Sequence, residues 1–473
     1  MPEPRVFMVA PFVVLLLAIA LAPFVVKHHW EKHYPKVAIG LGLITVVYYL
    51  AFLHNGPRML TSAVEYAGFM ALVGSLYVIA GGIHVNMTGR STPLANTGIL
   101  ALGAVLANLI GTAGASMLLV RPFLRINRYR VAPYQVVFFI FIVSNIGGAL
   151  TPIGDPPLFL GYLKGVPFFW LLTKPQVLGA WLVCVAALLA LFFLLDWRNF
   201  VKHETEVKKP TEDRIQVEGS HNFLWLMVII ALVLLQKAEW LKDLEHWPLI
   251  QSWGKALGWG TEKAAESLVT VAVAVLMTLT AAAAYKLSNK RALEENEFNF
   301  LPVYEVGILF LGIFATMVPA LDLLEKHAGD LGIRTVHQFF WGAGILSSVL
   351  DNAPTYLNFL TAAFGLQHMS LENPVHVQAL LHPNLITQYT AQQLIDLGLH
   401  KLDPKAWEYV VAVSLGAVFF GANTYIGNAP NFMVKSIAES RGVKCPSFLG
   451  YIFKYALPIL IPLFALVSWL FLR

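Results

Sequence analysis

The stretch GALTPIGDPPLF, residues 148–159, lies between two segments that are apolar enough to cross a membrane. It contains three prolines, two glycines and the carboxylate of Asp155. Proline and glycine interrupt helices, and each backbone group left unpaired inside a bilayer costs several kcal/mol. A helix that breaks at this depth is tolerated where it lines a cavity or binds an ion. The stretch therefore predicts a site inside the membrane.

The composition excludes a soluble globular protein, because 57% of the 473 residues are hydrophobic and only 13% are charged. Apolar runs of roughly 20 residues recur, as membrane-spanning helices require. We predict an all-α polytopic membrane protein with ten crossings. These are residues 6–26, 37–53, 62–84, 132–163, 167–195, 223–235, 264–285, 302–324, 407–434 and 448–471, of which 132–163 and 407–434 are broken. The first is expected to be a span and not a cleaved signal peptide, because it lacks a clear small-residue cleavage site.

Two further apolar segments, about 93–120 and 336–366, are interrupted near their middle by Gly, Pro, Asn and Thr. Such interruptions fit two half-length helices better than one span. We therefore expect each segment to form a re-entrant hairpin.

The basic residues predict the orientation, since cytoplasmic loops of membrane proteins are enriched in Lys and Arg. We expect a bacterial inner membrane with both termini on its extracytoplasmic side. Four basic clusters then fall inside and the long loop 367–405 falls outside. The formal charge of +5 therefore reports orientation and not binding to nucleic acid. Cys184 and Cys445 are too few for a disulfide framework. The clusters are Lys27/Lys32/Lys36, Arg121/Arg125/Arg128/Arg130, Lys286/Lys290/Arg291 and Lys435/Arg441/Lys444.

The charged stretch 198–222, predicted to be a cytoplasmic linker, divides the chain into residues 1–197 and 223–473. Each part has five predicted crossings and one hairpin, and because five is odd the second part would be inverted in the membrane. GALTPIGDPPLF aligns without a gap with GANTYIGNAPNF, residues 421–432, at seven identical positions, and Asp155 is opposite Asn428. Each copy follows a hairpin. We therefore predict an inverted repeat.

The side chains at the four breaks offer oxygen ligands, which Na⁺ prefers, whereas zinc and copper prefer nitrogen and sulfur. We expect the transported ions, and no cofactor, to bind here, with Na⁺ at Asp155, Asn145, Asp351 and Asn352. The predicted helix-breaking residues are Gly154, Pro156, Pro157, Gly427 and Pro430. The predicted ion and proton ligands are Asn108, Thr112, Asn145, Thr151, Asp155, Asp351, Asn352, Thr355, Asn423, Thr424 and Asn428, with Ser116, Ser144, Ser347 and Ser348 nearby.

Asp155 and Asp351 place one carboxyl group in each half. Apolar surroundings favour a protonated carboxyl, and a nearby cation favours the carboxylate, so H⁺ and a metal cation exclude each other at one group. That competition is the minimum requirement for exchange. The chain lacks a phosphate-binding Gly loop with Lys and Ser/Thr. We therefore expect a secondary transporter that uses an ion gradient, and not an enzyme.

Each break and each polar residue also has an explanation that involves no ion binding. Gly and Pro breaks also produce simple kinks, and Asn or Thr also bonds between helices without binding an ion. Glu65 and Glu305 lie near helix ends, where a proton path and snorkelling to the interface are both open. Packing or orientation explains Lys164 and Asp322. A solvated position, with pH sensing left open, is expected for His29, His33, His368, His376, His382 and His400.

The chain resembles the ion transporter superfamily, most closely its NhaD-type sodium/proton antiporters and the related citrate transporters. The resemblance rests on SNIGGALTPIGDPPLFLGYL (144–163), NLIGTAGASMLLVRP (108–122), SSVLDNAPTYLNF (347–359) and GANTYIGNAPNF (421–432). It implies inverted repeats, a scaffold domain that forms a homodimer, and a transport domain that moves in an elevator-like way. It also implies ion sites at the hairpin tips and broken helices.

The hairpins differ from those of the dicarboxylate branch, which carry Ser-Asn-Thr. The first reads Asn-Leu-Ile-Gly-Thr, and the second has Asp351 before Asn352. An added acid favours a cation and repels citrate, so the first hypothesis is a Na⁺/H⁺ antiporter. The second is a cation-coupled carrier of citrate, a dicarboxylate or another anion, with Arg121 as the nearest basic candidate. A third, a membrane scaffold or receptor, lacks a polar segment long enough to fold as a domain.

Overall fold

The structure is a computed structural model that describes residues 3–88, 91–203, 214–237, 239–384, 390–399 and 402–472. Helices dominate it, and two short strands, β1 (His84–Thr88) and β2 (Arg214–Glu218), pair antiparallel. The helices are α1 (Ala10–Val25), α2 (Lys27–Val47), α3 (Gly56–Gly81), α4 (Pro93–Ile126), α5 (Pro133–Ile142), α6 (Pro156–Leu163), α7 (Pro175–Lys202), α8 (Asn222–Leu235), α9 (Pro248–Leu257), α10 (Thr261–Leu287), α11 (Lys290–Glu295), α12 (Leu301–Thr316), α13 (Val318–His327), α14 (Val336–Val349), α15 (Asn352–Leu366), α16 (Pro374–Leu381), α17 (Ala391–Asp396), α18 (Trp407–Phe420), α19 (Ala429–Ser440), α20 (Phe448–Tyr451) and α21 (Ile461–Phe471).

Within the described residues, seven helical segments are long and apolar enough to cross a membrane, although one of them, Pro93–Ile126, is interrupted at Gly111. The number becomes eight if Leu301–Thr316 and Val318–Leu331, bent by 42° at their junction, count as one span. An all-α polytopic membrane protein is therefore confirmed in outline, with the two-stranded sheet as an addition that the sequence did not predict. The ten crossings remain a prediction, because three further apolar helices are shorter than a span.

The chain forms two compact units, and each takes one segment from either side of the predicted linker. Unit 1 comprises Met1–Gly82 and Gly219–Leu323, and unit 2 comprises Ile83–Glu218 and Leu324–Arg473. The linker itself is partly regular, since α7 continues to Lys202 and β2 begins at Arg214. Residues 204–213 of the predicted linker, and His400, lie outside the described residues.

Unit 1 packs α2 against α12 through small residues. A Cβ atom added to Gly312 would lie 2.8 Å from the carbonyl oxygen of Ala38, so the backbones touch here. Close approach through small residues is how membrane helices gain van der Waals contact. Asp322 accepts hydrogen bonds from Arg58 Nε at 2.8 Å and from Tyr49 Oη at 2.7 Å. These bonds fit the packing role expected for Asp322.

In unit 2, α4 folds back on itself at Gly111, whose φ of 78° and ψ of 155° are not helical. The side-chain amides of Asn96 and Asn127, near its two ends, exchange hydrogen bonds of 2.8 and 2.9 Å. A Cβ atom on Gly103 would lie 3.2 Å from Leu119 Cδ1, whereas a continuous helix would separate these residues by about 24 Å. Helix α4 therefore consists of two arms that fold back on each other, the second of which extends to Ile126, and their re-entry into one face of a bilayer stays a prediction.

The segment predicted to form the second hairpin contains α14 and α15, which are separated by Leu350 and Asp351. The rings of Phe339 and Phe359 lie 6.2 Å apart between centroids, so the two helices run side by side. Entry of both hairpins from one face of the bilayer stays a prediction.

Both predicted broken helices lie in unit 2, and the structure shows a break in each. The first comprises α5 and α6, joined by a short 3₁₀ turn at Ile146–Gly148, and the second comprises α18 and α19, joined by a similar turn at Gly421–Asn423. Proline occupies the first turn of α6 and of α19, where its missing N–H is no loss.

Several predicted boundaries differ from the structure. The helices of the crossings expected from residues 37 and 62 already begin at Lys27 and Gly56. The crossing expected from residue 167 begins at Pro175, because turns occupy residues 168–173. The outer loop 367–405 contains α16 and α17.

Candidate ion-binding site

The break between α5 and α6 turns back so tightly that two glycines touch. A Cβ atom on Gly154 would lie 2.1 Å from the carbonyl oxygen of Gly148, and one on Gly148 would lie 2.6 Å from that of Gly154. The break between α18 and α19 repeats the arrangement, since a Cβ atom on Gly427 would lie 2.6 Å from the carbonyl oxygen of Gly421. Close backbone contact thus requires glycine at Gly148, Gly154 and Gly427, and the fourth aligned position, Gly421, lies against Asn145 Oδ1.

A threonine ties each break to its hairpin. Thr151 Oγ1 donates to the carbonyl oxygen of Asn108 at 2.6 Å and accepts from the backbone N–H of Gly154 at 3.1 Å. Thr424 Oγ1 donates to the carbonyl oxygen of Ser348 at 2.6 Å and accepts from Gly427 N–H at 3.0 Å. The equivalent geometry of two aligned threonines supports the proposal of an inverted repeat.

Asp155 is at the centre of unit 2's polar network and is fully buried. Its Oδ1 accepts hydrogen bonds from Thr112 Oγ1 at 3.0 Å and from Asn428 Nδ2 at 2.9 Å. Its Oδ2 accepts from Asn352 Nδ2 at 2.5 Å. These three donors come from both hairpins and from the other broken helix. All three are neutral, so no positive side chain compensates the carboxylate through these bonds.

Four helix starts meet at this carboxylate. Asp155 precedes α6, Asn428 precedes α19, Asn352 begins α15, and Thr112 follows the break at Gly111. A helix start presents unpaired N–H groups and the positive end of the helix dipole. The arrangement therefore favours negative charge at the place that Asp155 occupies.

Three buried amide oxygens surround this network without a hydrogen-bond donor from the described residues. They are the Oδ1 atoms of Asn145, Asn352 and Asn423. A Cβ atom on Gly421 would lie 2.9 Å from Asn145 Oδ1 and 3.5 Å from Asn352 Nδ2, so two of these amides are neighbours. Oxygens that accept no hydrogen bond are suited to a hard cation. Among the residues described, His, Cys, Asp and Glu form no metal-binding group of three or more.

Asp351 has a different role from Asp155. Its Oδ1 accepts a hydrogen bond from the backbone N–H of Ala353 at 3.0 Å, which caps the start of α15. Thr355 Oγ1 donates to the carbonyl oxygen of Asp351 at 3.0 Å. As a residue, Asp351 is only partly buried, whereas Asp155 is fully buried.

The comparison with known proteins covers almost the entire chain. A family model described as "Putative citrate transport" matches residues 2–472. The chain belongs to this citrate transport family. No curated protein matches the chain. As a member of the citrate transport family it belongs to a family of transporters, which agrees with the expectation that it is not an enzyme.

In this member of the citrate transport family, the polar network also includes Asn431, which was not among the predicted ligands. Asn431 Nδ2 donates to the carbonyl oxygens of Gly421 at 2.8 Å and Thr424 at 2.9 Å, and its Oδ1 accepts from Asn145 at 2.7 Å. It thus joins the two broken helices. Its place in the first turn of a half-helix, two residues after Ala429, could have identified it from the sequence as a residue of the break.

Replacing Gly154 by alanine is expected to destabilise the folded protein. The added methyl group meets backbone, namely the Gly148 carbonyl, and Asn108 Oδ1 at 3.1 Å, and overpacking of this kind costs about 1–3 kcal/mol. Thermal unfolding in detergent should show a lower midpoint. Gly98→Ala in α4 is the matched control, because no heavy atom lies within 4 Å of its added Cβ. An unchanged midpoint for Gly154→Ala would mean that the two chain segments do not touch.

Proposed function

We propose that the protein is a secondary transporter that exchanges Na⁺ for H⁺. The observation that carries the proposal is the complete burial of Asp155 with only neutral hydrogen-bond donors. A buried carboxylate without a cation is costly, so it becomes protonated or pairs with a positive ion. The two outcomes exclude each other at one group. Alternation between them, from opposite sides of the membrane, is antiport.

The sodium-bound state would use oxygens that already lie in the network. The Asp155 carboxylate supplies negative charge, and the Oδ1 atoms of Asn145, Asn352 and Asn423 accept no hydrogen bond from the described residues. A small rotation of the Asn352 amide would bring its oxygen, in place of its NH₂ group, toward the ion. In the proton-bound state the carboxyl O–H needs an acceptor, and the same rotation of the Asn352 amide would supply one at the oxygen that now accepts from its Nδ2. Asp351, at the more accessible position, is proposed as the second acid that binds H⁺ or Na⁺.

The description of the family favours a second candidate, cation-coupled transport of citrate, a dicarboxylate or another anion. Helix N-termini bind substrate carboxylates in several transporters, and four of them meet here. The place at which they meet already contains the Asp155 carboxylate, which would repel a second anion. In this candidate the acids would bind only the coupling cation, and the anion would lie elsewhere in unit 2. Arg121, which is buried in α4, is its nearest basic candidate.

Several parts of the proposal extend beyond the site. We propose that the protein contains an inverted repeat, forms a homodimer and alternates access by an elevator-like motion. We also propose that it lies in a bacterial inner membrane with both termini on the extracytoplasmic side.

Purified protein in liposomes that enclose a pH-sensitive dye distinguishes the two candidates. An imposed Na⁺ gradient, without any organic anion, is expected to move protons in the opposite direction, because each ion displaces the other at Asp155. The parallel measurement is uptake of radiolabelled citrate under the same Na⁺ gradient. Protein-free liposomes are the control. Citrate uptake together with no Na⁺-driven proton movement would contradict antiport and support the anion carrier.

A further inference from the structure

A second polar feature lies along α6 and α15, beyond the network at Asp155. Tyr356, on α15, is fully buried, and its hydroxyl group forms no hydrogen bond with the described residues. Leaving a buried hydroxyl group without a partner costs about 1–3 kcal/mol. A phenylalanine would fill the same volume without that cost. The hydroxyl group therefore calls for a reason other than packing.

The fold makes room for this hydroxyl group. A Cβ atom on Gly161, in the middle of α6, would lie 2.3 Å from Tyr356 Oη, so any larger residue there would displace the ring. Ser414, on α18, is near enough to this hydroxyl group for a weak polar contact that falls short of a hydrogen bond, and its own Oγ–H is already donated to the carbonyl oxygen of Val410 at 2.7 Å. The tyrosine oxygen is thus held between three helices.

The position of Tyr356 connects the buried acid with the far end of α6. Four residues separate it from Asn352, so both side chains lie on one face of α15, one turn apart. Gly161 lies about 9 Å along α6 from Asp155. Lys164, three residues beyond Gly161, pairs with Glu372. The side chain of Lys164 is 4% exposed and that of Glu372 is 22% exposed, so Glu372 is the more accessible member of this pair.

We propose that the Tyr356 hydroxyl group relays protons between Glu372, at the partly exposed end of α6, and the Asp155 carboxyl group. The hydroxyl group gives its proton, through water, to the Asp155 side and takes another from the Glu372 side. The tyrosine is therefore unchanged after each transfer. This inference rests on the proposed exchange of Na⁺ for H⁺ and names the residue on its proton path.

The other titratable groups near Tyr356 do not offer an equivalent path. Helix α15 packs against α6, α14, α18 and the 3₁₀ turn Ala328–Leu331. Asp155 and Lys164 flank the helix that contains Gly161, whereas the acidic, histidine and tyrosine groups of the other elements lie at or near helix ends. The full set on these elements is Asp155, Tyr162, Lys164, Asp330, His337, Asp351, Glu408 and Tyr409.

The test compares two activities of Tyr356→Phe in liposomes. Na⁺-driven proton movement is expected to fall at least about tenfold, because a proton-transfer group has been removed. Exchange of radiolabelled Na⁺ at equal Na⁺ concentration and equal pH needs no proton transfer and should continue at the rate of the unaltered protein. The thermal midpoint should stay unchanged or rise, because no hydrogen bond is lost.

Tyr66→Phe is the matched control. Its hydroxyl group donates to the carbonyl oxygen of Gly307 at 2.9 Å within unit 1, so the variant should lose thermal stability and keep the ratio of the two activities. Proton movement by Tyr356→Phe at the unaltered rate would overturn the relay alone. An equal fall of both activities would also overturn it and assign Tyr356 to packing. Absence of Na⁺-driven proton movement in the unaltered protein would contradict the proposed function and the relay together.

Discussion

Asp155→Asn is expected to abolish Na⁺-driven proton movement in liposomes. An amide cannot take up a proton near neutral pH, and it lacks the negative charge that would compensate a sodium ion. It also presents an NH₂ group to one side of a network in which both carboxylate oxygens accept hydrogen bonds. Facing donors cost about 1–3 kcal/mol, so a moderate loss of stability should accompany the loss of transport.

Sodium-dependent stabilisation separates these two effects. A ligand that binds only the folded state raises its stability by about 2.7 kcal/mol at one hundred times its dissociation constant. The thermal midpoint of the unaltered protein should therefore rise with NaCl relative to choline chloride, and that of Asp155→Asn should not. Asp396→Asn is the matched control, because its side chain is exposed and bonded to Gln392. Full transport by Asp155→Asn would exclude this carboxyl group as the exchange site.

Asp351→Asn completes the comparison within the same experiment. Asparagine caps helices as well as aspartate does, so the start of α15 should remain intact while the charge is removed. We expect loss of proton movement with little change in the thermal midpoint. Retained transport here would restrict the exchange to Asp155.

Asp196→Ala is expected to produce the largest loss of stability in unit 2. Asp196 pairs with Arg130 through two hydrogen bonds of 2.7 Å, and both side chains are fully buried. Removing one partner of a buried ion pair leaves an uncompensated charge and costs about 3–5 kcal/mol. The same carboxylate also accepts from Asn96, Tyr134 and Gln135, so three further donors lose their acceptor. Thermal unfolding in detergent and the yield of folded protein report the effect.

Two variants identify the cause of that loss. Glu439→Gln breaks the exposed pair with Lys435 and should change stability by at most about 0.5 kcal/mol. The double variant Arg130→Met with Asp196→Leu removes both charges, yet it should recover only part of the stability, because Asn96, Tyr134 and Gln135 each still lack the acceptor that Asp196 provided. Full recovery would show that the charge alone was responsible. A midpoint of Asp196→Ala equal to that of the unaltered protein would contradict the buried pair.

The breaks could be predicted from sequence because their cause is local. Proline and glycine near Asp155 interrupt a helix whatever surrounds them. The alignment of Gly148 and Gly154 with Gly421 and Gly427 also identified the residues that prove to touch. Thr112, Asn352 and Asn428 were among the predicted ligands, and the structure brings all three to one carboxylate. Their shared role as ion ligands is part of the proposal.

What could not be predicted depends on residues far apart in the chain. Arg121 and Arg130 belong to a basic cluster that sequence analysis placed in a cytoplasmic loop, yet both are buried. Arg130 is buried because Asp196, 66 residues later, neutralises it. The pairing of β1 with β2 joins segments more than a hundred residues apart, which no local pattern reveals. Nothing in the sequence distinguishes Tyr356 from other aromatic residues, because its contact with Gly161 forms only in the folded chain.

The hairpin α4 is fastened at both extremities. At its tip, the N–H of Thr112 donates to the carbonyl oxygen of Gly154 at 2.8 Å, and at its foot Asn96 and Asn127 bond to each other. The hairpin could rotate about one end only if the hydrogen bonds at the other end were broken. Breaking either set would leave buried amide groups without a hydrogen-bond partner. The hairpin is therefore ill suited to act as a hinged door over the ion. Any passage that opens to water must move the hairpin together with the helices to which it is fastened, as one stiff block.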